Sequence, residues 1–209
     1  RFSRHLGLTR DKTYPMGTAI RGYFISDMHD DPWIESHLDI VDKNGDFMPG
    51  YGWIFPVGDG TINVGVGLLS TFKGYKEINT SALYEQFCNI APSYWGISPE
   101  TSCGPATGGK LPTGGSNGPK VGPNWVIAGD NAGLVNPFNG EGIAYGYETG
   151  QMAAMAVIKA LKNDNPKELY TYSEELTEKF GQYYKFARLF VKYIGNPRVM
   201  RELVRAGMY

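Results

Sequence analysis

Residues 125–150 read WVIAGDNAGLVNPFNGEGIAYGYETG and concentrate the groups most able to hold a ligand. An apolar run, Trp125 to Ala128, predicts a strand that ends at Gly129-Asp130. A loop rich in Gly, Asn and Pro follows, and a small-residue helix is predicted from near Gly140. This order presents a helix N-terminus, with its free N–H groups and positive dipole end, to an electron-rich ligand. Gly133, Gly140 and Gly142 let the backbone approach without a Cβ in the way. Pro137 has no N–H and fixes φ, so it stiffens the loop. Asp130 can accept hydrogen bonds from ribose or ribityl hydroxyls. A plain capped turn is the alternative. The run Gly133, Pro137, Asn139, Gly140, Gly142 after Gly-Asp favours a cofactor loop.

A second group is Tyr51, Trp53 and Phe55, two apart on a predicted strand and therefore on one face. Three rings on one face would make an apolar wall. A hydrophobic core facing another sheet explains the same spacing.

Two motifs carry a family resemblance. Gly129-Asp130 through Gly142-Ile143 resembles the second flavin motif of the para-hydroxybenzoate-hydroxylase-like FAD enzymes, closest to their geranylgeranyl reductase branch. Tyr51 to Pro56 is similar to the Tyr-x-Trp-x-Phe-Pro element of isoprenoid-reducing members. The branch's opening strand and G-x-G-x-x-G turn have no counterpart here, and residues like Arg1 to Gly7 follow a mid-chain motif in relatives. The resemblance thus implies the C-terminal half of a longer enzyme, with the piece alone expected to be inactive and flavin binding expected to need the parent.

The resemblance implies an FAD-dependent reductase of isoprenoid C=C bonds, in geranylgeranyl lipids or the menaquinone side chain. It implies cofactor contacts from Gly129, Asp130, Gly133, Pro137, Asn139, Gly140, Glu141 and Gly142. Asn139 to Gly142 would serve the flavin's pyrimidine edge, Glu141 with its carboxylate turned away, and Asp130 the ribityl hydroxyls. It implies catalytic-face roles for Tyr51, Trp53 and Phe55. It implies a prenylated lipid or quinone as substrate partner; the electron donor is left open between NAD(P)H and a ferredoxin-like protein. An aromatic monooxygenase or halogenase on the same scaffold is one alternative. A prenyl-lipid-binding module without catalysis is another.

The elements that must position these groups follow from the pattern. Strands are predicted at 17–28, 36–41, 51–57 and 61–68, with turns at Asn44-Gly45 and Gly58-Asp59-Gly60. The last strand alternates Ile62, Val64, Val66 and Leu68 with Asn63, Gly65 and Gly67. Its bare face leaves room for a helix, a flavin or a substrate. A helix is predicted at 80–91 with Leu83, Phe87 and Ile90 inward, capped by Asn79 or Thr80. Residues 98–124 read as an irregular segment in which Lys110 is a candidate contact or a surface lysine. Helices follow at 140–162, at 167–194 and, after Gly195-Asn196-Pro197, at 198–205. The inward row of the second is Leu169, Tyr172, Leu176, Phe180, Tyr183, Ala187, Phe190 and Ile194. The expected class is α+β: an antiparallel substrate-binding sheet, the returning strand and helix of an FAD domain, and C-terminal helices. The expected division is 1–124, 125–162 and 163–209.

Composition sets bounds. A net charge of −1 argues against general nucleic-acid binding. No apolar run approaches a bilayer span of about 20 residues. Cys88 and Cys103 form no C-x-x-C and read as small buried residues in a reducing cytoplasm. The three histidines lack metal-ligand spacing, so no metal is expected. From Lys185 onward, Arg188, Lys192, Arg198, Arg201 and Arg205 stand against Glu202 alone. This is a charged helix face or a peripheral contact with anionic lipid at the inner membrane face. Association through an exposed FAD-domain surface is also expected.

Overall fold

The computed structural model describes residues 5–72 and 74–194. In chain order the strands are β1 (Thr9–Arg10), β2 (Met16–Ile25), β3 (Glu35–His37), β4 (Gly50–Pro56), β5 (Thr61–Leu69), β6 (Thr107–Pro112), β7 (Asn117–Gly118), β8 (Val121–Gly122) and β9 (Trp125–Val126). The α-helices are α1 (Thr80–Ile90), α2 (Ile143–Lys162) and α3 (Thr171–Ile194). The fold class is α+β, as expected. Contacts divide the chain into two compact units, residues 18–110 and residues 1–17 with 111–209.

The 18–110 unit is built on a five-stranded sheet in the order β3-β4-β5-β2-β6, with β3–β4 and β4–β5 antiparallel. Alternation decides its layers. Ile54, Ile62, Val64, Val66 and Leu68 form one buried cluster with Leu83, Tyr84 and Phe87 of α1. Asn79 caps α1, its Oδ1 accepting from Ser81 N and Ala82 N. Ile90, expected inward, is 50% exposed, because α1 is anchored through Leu83, Tyr84 and Phe87, with Cys88 beside them.

The strand expected at 36–41 stops at His37. Leu38 is 78% exposed, and the chain then turns Ile40 into the core, where it is 1% exposed. Asn44-Gly45 does form a hairpin turn, one residue longer than expected. Gly45 N donates to Asp42 O, Asp42 N donates to Asp46 O, and Gly45 takes a φ of 83°. The segment 98–124 is not irregular: β6, β7 and β8 lie within it. Their Gly-rich residues pair through backbone and leave no side-chain alternation to read. Cys103 is exposed rather than buried.

The other unit packs α2 against α3. Small residues on α2, namely Ala153, Ala156 and Ala160, let Leu169, Tyr172, Leu176 and Phe180 come close. The buried row of α3 continues through Tyr184, Ala187 and Val191, whereas Tyr183 is 39% exposed. A helix turns 100° per residue, so a row followed at spacing four drifts and is corrected by a step of three. A 3-10 turn at Pro166–Tyr170, capped by Asn165, precedes α3. The expected strand at 125–128 is reduced to β9, paired with β8. The expected helix at 198–205 and Arg198, Arg201 and Arg205 lie outside the described residues. No helix among the described residues is long and apolar enough to cross a membrane.

Two tyrosine hydroxyls tie α3 to the chain around Gly129. Tyr172 donates to Ile127 O at 2.9 Å and Tyr184 to Leu134 O at 2.7 Å, both buried. Tyr172→Phe strands the Ile127 carbonyl and should cost about 1–2 kcal/mol, read from a denaturant or thermal melt.

Candidate functional site

In the unit containing α2, a cleft of about 510 Å³ is lined by Leu111, Asp130, Val135, Gly140, Gly142, Ile143, Gly146 and Tyr147. Its floor is the first turn of α2. The helix starts at Ile143, with Gly142 as N-cap, three residues later than expected from Gly140. The delay comes from a turn: Gly140 N donates to Asn136 O at 2.9 Å, and Asn136 N to Glu141 O at 2.8 Å. Ile143 and Tyr147 are 76% and 80% exposed on the cleft side.

Asp130, Gly140 and Gly142 come together in this cleft. A Cβ on Gly142 would lie 2.9 Å from Asp130 Oδ1, so the absent side chain is what lets the carboxylate sit against the helix start. The other motif residues do not line it. Gly129 N donates to Thr149 Oγ1 at 3.0 Å, and its Cα faces that of Gly146. Gly133 closes the 3-10 turn over Ser116 and Asn117. Pro137 packs on Gly114, and Asn139 Oδ1 accepts from Glu141 N. Glu141 Oε1 accepts from Ala144 N at 2.7 Å, so this carboxylate caps α2. Lys110 is exposed. The loop is pinned from its far side by Phe138, whose ring packs on Tyr183, Phe186 and Phe190 of α3.

The arrangement is suited to a hydroxyl-bearing ligand, for which Asp130 is an acceptor at the rim. The Glu141 carboxylate, expected to turn away, instead takes the first-turn amide of Ala144. Leu111, Val135, Ile143, Gly146 and Tyr147 were missed by sequence reasoning. The i, i+4 pair Ile143 and Tyr147 directly after the glycines was the available signal.

In the 18–110 unit, Tyr51, Trp53 and Phe55 share one face of β4. Their ring centroids are 5.6 Å and 6.0 Å apart in succession. This face lies opposite the buried cluster that includes Ile54 and α1, so the three rings do not fill that core. The register sets Tyr51, Trp53 and Phe55 directly across from Gly67, Gly65 and Asn63. Trp53's own indole covers the bare glycines, its Nε1 donating to Asn63 Oδ1 at 2.8 Å. Neither a helix nor a ligand is needed to account for Gly65. Burial pushes the Tyr51 phenol pKa up. Asn63, which fixes the indole's orientation, is a further residue sequence reasoning did not single out.

No family sequence model matches the chain. It is 37% identical over 198 residues to a menaquinone reductase of Mycolicibacterium smegmatis, covering 95% of this chain and 47% of that protein. It is 32% identical over 158 residues to a digeranylgeranylglycerophospholipid reductase of Methanosphaera stadtmanae, covering 73% of this chain and 38% of that one. The chain thus spans about half or less of the length of these curated relatives. Its fold matches a geranylgeranyl bacteriochlorophyll reductase-like protein of Thermoplasma acidophilum with a TM-score of 0.71 at 20% identity, over 93% of this chain and 47% of that one. A variant flavin-dependent brominase matches with a TM-score of 0.57 at 17% identity, over 98% of this chain and 54% of that one. By sequence and fold together, the chain belongs to the geranylgeranyl-reductase and para-hydroxybenzoate-hydroxylase-like flavoprotein superfamily, and it carries no G-x-G-x-x-G dinucleotide-binding motif after a strand.

Proposed function

We propose that this chain is the C-terminal part of an FAD-dependent reductase that saturates isoprenoid C=C bonds, with a menaquinone side chain or a geranylgeranyl lipid as substrate. The observation that carries the reading is the row of Tyr51, Trp53 and Phe55 on the sheet face away from the packed core. The similarity to the menaquinone and digeranylgeranyl lipid reductases supports it.

The residues at the α2 cleft fit FAD. Gly142 leaves space that a Cβ would fill, Gly146 has nothing within 4 Å of its Cβ position, and Asp130 supplies a carboxylate at the rim. Asp130 would accept from ribityl hydroxyls, and the α2 N-terminus would face the ring's electron-rich edge. Bound FAD supplies hydride-transfer chemistry.

The chain's own side chains do the rest. The aromatic face excludes water from an apolar chain and offers π density to a carbon of cationic character. Tyr51, with its pKa raised, keeps its phenolic proton at that face through neutral pH. NAD(P)H or a ferredoxin-like protein would be the source of electrons. A prenylated substrate implies work at the cytoplasmic membrane surface.

The test is reduction of menaquinone by the chain joined to its parent's N-terminal half, with FAD and a chemical reductant, read by mass spectrometry. A gain of two hydrogens in the prenyl chain is expected. Oxygen uptake dependent on an aromatic acid, without hydrogenated lipid, would sink the proposal. In the same preparation Asp130→Ala should weaken FAD retention about tenfold or more, since charge-assisted hydrogen bonds are lost. Absorbance after dialysis reads this directly.

A further inference from the structure

In the unit containing β1 and β7, a second cleft of about 370 Å³ is lined by Arg10, Asp11, Tyr14, Ser116, Asn117 and Lys120, among others. β1 pairs with β7, Arg10 opposite Asn117, which brings these two segments to one concavity. Its charges are unbalanced. Lys120 Nζ donates to the carbonyls of Gly115 and Asn117. Arg10 Nη2 donates to the carbonyls of Tyr14 and Pro15. Arg188 Nη1 donates to Gly114 O, and its guanidinium lies 4.2 Å over the Tyr14 ring.

Three cations therefore hold backbone oxygens where carboxylates would ordinarily be found. Ion pairs among the described residues are His37–Glu35, Lys159–Glu168 and Lys179–Glu148, and none involves these three. The carboxylate lining the cleft, Asp11, is engaged by Thr13 through both its N and its Oγ1. Those bonds, and then the Arg10 and Arg188 charges, hold it below the usual carboxylate range. Two donors of lining residues, Arg10 Nε and Ser116 Oγ, are buried without a partner. Ser116 is 3% exposed. Buried donors without acceptors are rare in folded proteins and commonly mark a place for an ion or water.

We propose that this cleft is an oxyanion site that takes a phosphate group through Arg10 and Lys120. A phosphate matches the set better than a carboxylate, because it brings more acceptor oxygens and a higher charge to several cationic donors. The inference stands apart from the flavin and aromatic-face readings and uses none of their residues. The group is either a soluble phosphate, as in a nucleotide, or the phosphate of a lipid headgroup.

Calorimetric titration of the chain with inorganic phosphate and with pyrophosphate tests the first source. Sedimentation with phosphatidylglycerol vesicles, against phosphatidylcholine, tests the second. Saturable binding in either arm, weakened about tenfold by Lys120→Met and unchanged by Lys167→Met, is the expected result. Binding in neither arm, or a Lys120→Met chain that binds like the parent, overturns the proposal. If Lys120→Met fails to fold, the parent's melting temperature decides. A rise in phosphate over chloride at equal ionic strength supports the site, and equal values overturn it.

Discussion

Gly133→Ala is expected to destabilise the chain by about 3 kcal/mol, from about 1–2 kcal/mol of backbone strain and a comparable steric term. Gly133 has a φ of 70°, in the left-handed region. Its Cβ would lie 2.7 Å from Ser116 Oγ, 2.8 Å from Asn117 N and 2.9 Å from Ser116 N. Two of these are backbone atoms of a segment that itself holds Gly133, since Gly115 N donates to Gly133 O. The strain cannot be relieved by turning one side chain. Gly58→Ala is the control: its φ is 87°, but nothing lies within 4 Å of the Cβ position, so only the backbone term of about 1–2 kcal/mol remains. Thermal melts of the two variants separate the terms. Equal losses would show that the contact with Ser116 and Asn117 carries no weight. Gly133 N donates to Asp130 O at 3.0 Å, so the same substitution should also displace Asp130 from the α2 cleft.

Gly65→Ala should cost about 2–3 kcal/mol and expel the Trp53 indole from its seat. The added Cβ would come within 2.3 Å of Trp53 Cζ2 and 2.7 Å of the Ile20 carbonyl oxygen. The indole can move, but only by giving up its bond to Asn63 and its place between Tyr51 and Phe55. Gly67→Ala is the matched control, because its Cβ would meet Trp53 at an ordinary 3.5 Å. The expected contrast is a red-shifted tryptophan emission and a lowered melting point for Gly65→Ala alone. If both variants melt and emit like the parent, the indole does not rest on Gly65.

The alternation of β5 made one face bare, and the two-residue spacing on β4 put three rings on one side. Neither pattern states that Trp53 lies across from Gly65. Register is a property of two strands and their turn, and here the turn at Gly58-Asp59-Gly60 sets it. The same device recurs at Trp125, which lies over Gly122 in the β8–β9 pair. A tryptophan opposite a glycine was present in both stretches of sequence, unseen until pairing was known.

The glycine motif behaved similarly. Its composition announced a loop that brings backbone close to something. The structure separates its glycines by neighbour: Gly129 serves α2, Gly133 serves Ser116 and Asn117, and only Gly140 and Gly142 open onto the cleft. Glu141 turned out to be a helix cap because α2 begins three residues later than its first small residue suggested.

By itself, then, the sequence determined the α+β class, the central strands, the three described α-helices and the family, because these depend on local periodicity and on motifs of contiguous residues. Tertiary structure decided which side of each element is free, which glycine touches what, and where cations donate to backbone carbonyls. Those outcomes depend on contacts between segments far apart in the chain, such as Arg10 with Asn117 and Tyr14 with Arg188. No local pattern encodes a neighbour about a hundred or more residues away; packing and hydrogen-bond satisfaction select it only when the whole unit closes.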